Sequence, residues 1–303
     1  MRIGIFGVGA GEPGGNKVEA IVSAISTAHE QGFGSFWTAQ IFELDALTAF
    51  AVAGREVPDI KLGTAVVPTY PRHPMMLAQQ ALTVQAAIGD RLQLGIGLSH
   101  QTEVEGMWGN PFQRPVRPLR EYLDALEPLI NARPARVSGE LVTSRGDIDL
   151  GNAPACPVYV AALGEQTLRT VGKRCDGTIT WMVGPGTLAD HTIPVLRAAA
   201  SEAGRPQPEV LAGFPVCVTD DVARTRERAA KVFEIYGQLP SYRAMIDREG
   251  LGGPEDLAII GSEAEVSDRI DQLAEIGVDE LTASEFGVGD EADRTRELLR
   301  SKL

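Results

Sequence analysis

His100 is the residue of this chain best suited to move a proton near neutral pH. Its imidazole follows a glycine-spaced segment, Leu94-Gly95-Ile96-Gly97-Leu98-Ser99. A histidine titrates at about pH 6.5 when unperturbed, so it can deliver a proton alongside another bond-making step. The same ring could instead hydrogen-bond a cofactor or sit in an exposed loop. Glu103, one helical turn on, either orients His100 or faces water.

Other chemistries lack their residues. The remaining histidines, His29, His73 and His191, stand far apart and do not form a ligand cluster with aspartates. The five lysines, Lys17, Lys61, Lys173, Lys231 and Lys302, fall in helices, at a strand start or at the tail, which disfavours a Schiff base at a strand end. A glycosidase needs two facing carboxylates, and Glu285 has no obvious partner. Cys156, Cys175 and Cys217 show neither metal nor redox spacing and read as buried, reduced thiols of a cytoplasmic protein. Gly9-Ala10-Gly11-Glu12-Pro13-Gly14 matches the dinucleotide pattern GxGxxG. No acid follows at Trp37-Thr38 to hold a ribose, so a loop is the better reading. Ala161-Ala162-Leu163-Gly164 before a helix could receive an anion on free backbone N–H groups, or be an ordinary turn.

A net charge of −13 and the absence of a basic run exclude nucleic acid and an anionic membrane surface as partners. The chain lacks an apolar run long enough for a membrane span, and its N-terminus lacks the pattern of a signal peptide.

The elements that must position these residues alternate. Strands are expected at Ile3–Val8, Ser35–Thr38, Lys61–Val67, Leu92–Ile96, Val158–Ala161, Thr178–Trp181, Val210–Val218 and Leu281–Ser284. Helical periodicity lies between them. Asn16 with Glu19 and Ser262 with Glu265 mark capping boxes, and Gly32, Gly89 and Gly277 mark stops. Helices are expected at Leu44–Gly54, Pro74–Ile88, Leu119–Ile130, Glu165–Lys173, Leu188–Ala203 and Asp221–Tyr236, with a last one at Glu291–Leu303. Eight such strands fit a single-domain (β/α)8 TIM barrel, whose chemistry gathers at the C-terminal strand ends. Insertions are expected at 98–118 after strand four, 136–152 before strand five as a hairpin, and 237–254 after helix seven. The first and third read as Pro/Gly-rich loops that could cover a substrate.

Several stretches in order resemble the luciferase-like monooxygenase family. They are Gly63-Thr64-Ala65-Val66-Val67-Pro68 with Arg72-His73-Pro74, Leu94 to His100, Gly109-Asn110-Pro111-Phe112 with Arg120-Glu121-Tyr122-Leu123, and Pro157 to Gly164 with Cys175-Asp176-Gly177-Thr178-Ile179. Within that family the chain is most similar to the branch that uses the deazaflavin coenzyme F420, including the methylene-tetrahydromethanopterin reductase-like proteins. The resemblance implies an F420-dependent oxidoreductase, with an FMN-dependent monooxygenase or a non-catalytic cofactor-binding barrel as alternatives. It implies a non-prolyl cis peptide at Ala65–Val66 beneath the cofactor ring. Thr64, Gly97, Ser99, His100 and Ala161 would adjoin the cofactor, Ala162, Leu163 and Gly164 would hold its phosphate, and Trp181 and Met182 would border its tail. Gln40 would lie near ring and substrate, with His100 as the proton donor. Arg72 and His73 would be structural or would contact an anionic tail. A homodimer through the exposed faces of helices two and three is implied as well. The family's sugar-phosphate branch carries basic residues where this chain has Val183-Gly184-Pro185 and Ser284-Glu285-Phe286. The small-molecule substrate is therefore expected to be neutral or cationic and partly apolar.

Overall fold

The computed structural model describes residues 1–7, 15–113 and 116–303. The GxGxxG stretch and Val8 lie outside the described residues. The chain is a (β/α)8 barrel by its order of strands and helices. Its strands are β1 (Arg2–Phe6), β2 (Ser35–Thr38), β3 (Lys61–Thr64), β4 (Leu92–Gly97), β5 (Val158–Val160), β6 (Gly177–Trp181), β7 (Glu209–Val218) and β8 (Glu280–Glu285). The main helices are α1 (Lys17–Glu30), α2 (Ala46–Glu56), α3 (Pro74–Ile88), α4 (Val116–Ile130), α5 (Glu165–Arg174), α6 (Ile193–Glu202), α7 (Val222–Val232), α8 (Glu263–Glu275) and α9 (Asp290–Ser301). No helix among the described residues is long and apolar enough to cross a membrane.

The chain divides into two compact units. One comprises Met1–Val8, Thr27–Trp37 and Ala162–Leu303, the other Gly9–Ser26 and Thr38–Ala161. In the first, β1 pairs in parallel with β2 and β8, and β7 pairs with β6, β8 and the short strand Ile259–Gly261. These strands read as nearly unbroken buried runs, as parallel strands covered on both faces should. Buried Glu280 accepts from Ser35 Oγ at 2.5 Å, Trp37 Nε1 at 2.7 Å and Arg2 Nε at 3.1 Å. These donors compensate a carboxylate that burial alone would penalise.

In the second unit, β4 pairs with β3, β5 and the two-residue strand Val67–Pro68. Asp45 caps α2 by accepting from Thr48 N at 2.8 Å, which moves the helix start two residues beyond the expected Leu44. The hairpin forms from Ala135–Ser138 and Thr143–Gly146, antiparallel.

Both expected loop insertions carry helix. Segment 98–118 contains Gln101–Gly106 and the first residues of α4. Segment 237–254 contains Pro240–Glu249, preceded by Glu234–Gln238. Pro240 stands at the helix start, where its missing N–H costs nothing, and Gly250 ends the helix in the left-handed region at φ 71°. The same residues that suggested a loop here are helix punctuation. The expected helix Leu188–Ala203 opens as a π-turn over Leu188–Thr192, just before Pro194. Proline cannot donate to the carbonyl four residues back, so the ladder shifts there.

Glu291 on α9 ties the first unit together. It accepts from Thr219 Oγ1 at 2.7 Å and Arg228 Nη2 at 2.8 Å. Burial opposes its charge, but these donors with Val288 N–H hold its pKa down to about 2. A folded-state pKa depressed below the unfolded value stabilises the fold above the unfolded value, and that stability is lost as pH falls through the folded one. Glu291→Gln is expected to cost about 1–2 kcal/mol at pH 7. The gap between variant and wild type in urea unfolding should narrow from about pH 4.5 towards pH 2. A gap constant down to pH 2.5 would refute the assignment.

Candidate active site

The second unit holds the residues expected around strands two to four. Thr64 is fully buried; its hydroxyl donates to Gly95 O at 2.7 Å and accepts from Gly95 N at 2.9 Å. That hydroxyl pins β3 to β4. The Ala65–Val66 peptide is cis. Ala65 N donates to Thr38 O at 2.8 Å, and Thr69 N rejoins β4 at Gly97 O at 2.9 Å. The chain therefore bulges at 65–66 between two paired stretches.

This bulge explains the glycine spacing of β4. A Cβ on Gly95 would stand 1.9 Å from Thr64 O, and one on Gly97 would stand 2.5 Å from Val66 Cγ2 and 3.5 Å from Ala161 Cβ. Residues two apart on a strand share a face. Gly95 lies under the Thr64 carbonyl and Gly97 under the Val66 side chain, both at the same bulge.

Past β4, Ser99 takes a left-handed conformation at φ 59° and turns the chain into helix Gln101–Gly106. His100 is the N-cap, and its ring makes no capping bond. It is half-buried. Burial lowers its pKa, while the charge of Glu103 pulls it back up. Glu103 Oε2 is shut off from solvent and has no hydrogen-bond partner among the described residues, so that oxygen does not face water. Glu105, on the same helix, is instead taken up by Gln101 Nε2 and Phe112 N.

Gln40 follows β2 by two residues, and its Oε1 accepts from Ala46 N at 3.2 Å. Arg72 pairs with Asp45, which also accepts from Gln80 Nε2 at 3.0 Å. His73 Nδ1 accepts from Met75 N at 3.2 Å, and its Nε2 lies 2.8 Å from Thr143 O. Arg72 and His73 are thus both held by the protein itself.

In the first unit, Ala162 is buried and Gly164 is the N-cap of α5 with no side-chain capping bond. Nothing lies within 4 Å of where its Cβ would be. A helix start without a side-chain cap, with open space beside it, fits a phosphate. His191 Nε2 lies 3.2 Å from Leu163 O, so a side chain late in the π-turn steadies this corner. Its place in the sequence showed no such link. Trp181 is half-buried, with ring centroids 5.2 Å from Phe6 and 6.2 Å from both Phe233 and Tyr236. Met182 is completely enclosed beside Phe233, Ile246 and Leu257, so its side chain presents no surface to a ligand.

Two carboxylates whose roles sequence reasoning missed also settle here. Glu285 pairs with Arg296 on α9 and is not part of a facing carboxylate pair there. Glu249, at the end of helix Pro240–Glu249, accepts from Thr187 N. A Cβ on Gly184 would stand 2.2 Å from Glu249 Cδ. Gly184 and Gly186 were the only sequence sign of this contact.

These features define a (β/α)8 barrel with a half-buried histidine just beyond its fourth strand. A profile of the luciferase-like monooxygenase family matches residues 1–280, and the chain belongs to that family. A Mycobacterium tuberculosis protein named "Putative coenzyme F420-dependent oxidoreductase Rv3520c" is 27% identical, over 96% of this chain and 88% of that protein. The structure of the coenzyme F420-dependent tetrahydromethanopterin reductase from Methanopyrus kandleri superposes with TM-score 0.76 at 21% identity, covering 100% of this chain and 98% of the other. The oxygenating constituent of 3,6-diketocamphane monooxygenase from Pseudomonas putida, a structure with FMN, gives TM-score 0.77 at 16% identity, covering 99% and 96%. The chain is accordingly similar to oxidoreductases.

Proposed function

We propose that this protein is a coenzyme F420-dependent reductase acting on a small organic molecule with an electron-poor C=C or C=N bond. The observation that carries the cofactor assignment is the match, along nearly the whole chain, to a relative named for F420. When bound, the deazaflavin supplies a hydride from C5. The backbone at Ala65 and Val66 with Gly97 would bed its ring. His100 would deliver the accompanying proton.

An FMN-dependent monooxygenase is the second reading, favoured by the equally similar fold of the FMN-bound relative. Titration of the purified protein with F420 and with FMN, followed by tryptophan quenching, separates the two. Saturable F420 binding with weak FMN binding is expected. Tight FMN binding without F420 affinity, together with flavin-dependent oxygen uptake, would overturn the proposal.

A further inference from the structure

The second unit contains a cleft of about 450 Å3 bordered by Gln40, Ile41, Phe42, Arg72, Met76, Gln80 and Trp108, among others. That volume suits a small organic ligand. Three of its wall residues leave large apolar surface in water: Ile41 is 61% exposed, Phe42 60% and Met76 54%. Apolar surface gathered around a concavity marks a binding place more often than scattered exposure does.

The polar groups of the cleft say what would bind. Its one cation among the described residues, Arg72, is paired with Asp45. Burial works against the Asp45 charge, yet Thr48 N–H and Arg72 hold its carboxyl below the usual carboxylate range, so Asp45 stays charged beside Arg72. The pair carries no net charge, so it offers an anionic ligand little net attraction. Gln40 and Gln80 are each tied at one end. Ala46 N–H can only donate, so it meets the Gln40 oxygen and leaves the Gln40 NH2 group to be offered. The Asp45 carboxylate can only accept, so it meets the Gln80 NH2 group and leaves the Gln80 oxygen. Among the described residues the cleft therefore combines apolar walls, one amide donor, one amide acceptor and a cation neutralised by a neighbouring carboxylate.

We infer that this cleft binds an uncharged, largely apolar molecule with a carbonyl or carboxamide head, and that the Asp45–Arg72 pair discriminates against anions. The inference builds on the reductase reading by naming a substrate class, but binding can be measured without cofactor. A failure here therefore leaves the F420 titration standing, and a failure there leaves this result standing.

The test uses the full-length protein and two probes of nearly equal shape, cinnamamide and cinnamate. Calorimetry and quenching of Trp108 are read together, with Trp108→Phe as the control for the signal. Cinnamamide is expected to bind at least tenfold more tightly than cinnamate. Phe42→Ser, at an exposed position, should abolish binding without changing the melting temperature. Asp45→Asn keeps a capping side chain but releases Arg72, and should raise cinnamate affinity at least tenfold. The inference is overturned if cinnamate binds as well as cinnamamide to the wild type, or if neither probe quenches Trp108. It is also overturned if sedimentation shows that a second copy of the chain covers Trp108 and excludes the probes.

Discussion

His100→Ala is expected to lower kcat/KM by about 10²–10⁴-fold, the usual worth of a positioned proton donor. His100→Gln, which can still hydrogen-bond, should be no better. A donor must be protonated, so activity falls as pH rises through its pKa. Burial places that pKa below the ordinary histidine value, while Glu103 opposes the shift. The alkaline limb of the wild-type pH profile should therefore lie below about pH 6.5. Glu103→Gln should move it lower still, with little change at the acid-side maximum. The buried, unpartnered Oε2 of Glu103 makes this variant informative, because a carboxylate that merely faced water would leave the limb unmoved. A His100→Ala enzyme with unchanged kcat/KM from pH 5 to 9 would remove His100 from the chemistry.

Gly95→Ala should cost about 3 kcal/mol or more, measured as a shift in the urea midpoint, because the obstruction is backbone. The added carbon would meet Thr64 O at 1.9 Å, and Thr64 is itself bonded to Gly95 through its hydroxyl. The strand pair would have to part. Gly164→Ala is the matching control, since its new carbon meets nothing within 4 Å. Equal losses at the two positions would show that glycine content, rather than the overhanging bulge, sets the effect.

Much of the barrel was legible in the residues. Largely apolar runs marked all eight strands to within three residues at each end, since a strand buried on both faces is mostly apolar. The Ser262 and Glu265 capping box stands as read, with Glu265 N donating to Ser262 Oγ and Ser262 N donating to Glu265 Oε2. Pro240 and Gly250 misled, because proline and glycine punctuate helices as readily as loops. For the site, Gly95-Ile96-Gly97 was legible as a family-like glycine motif, without showing that Thr64 O and the Val66 side chain stand over it.

By itself the sequence determined the order of strands and helices, and it singled out His100 as the candidate proton donor. Each of these depends on residue type and local spacing. The tertiary structure alone decided that Glu103 turns an oxygen away from water, that Met182 is core, that Glu285 and Arg72 are already paired, and that Glu249 fastens the loop after β6. Those outcomes depend on partners 11 to 62 residues away along the chain, or on what encloses a side chain. Whether a charge is available to a ligand is set by its neighbours in space, and local spacing carries no record of them.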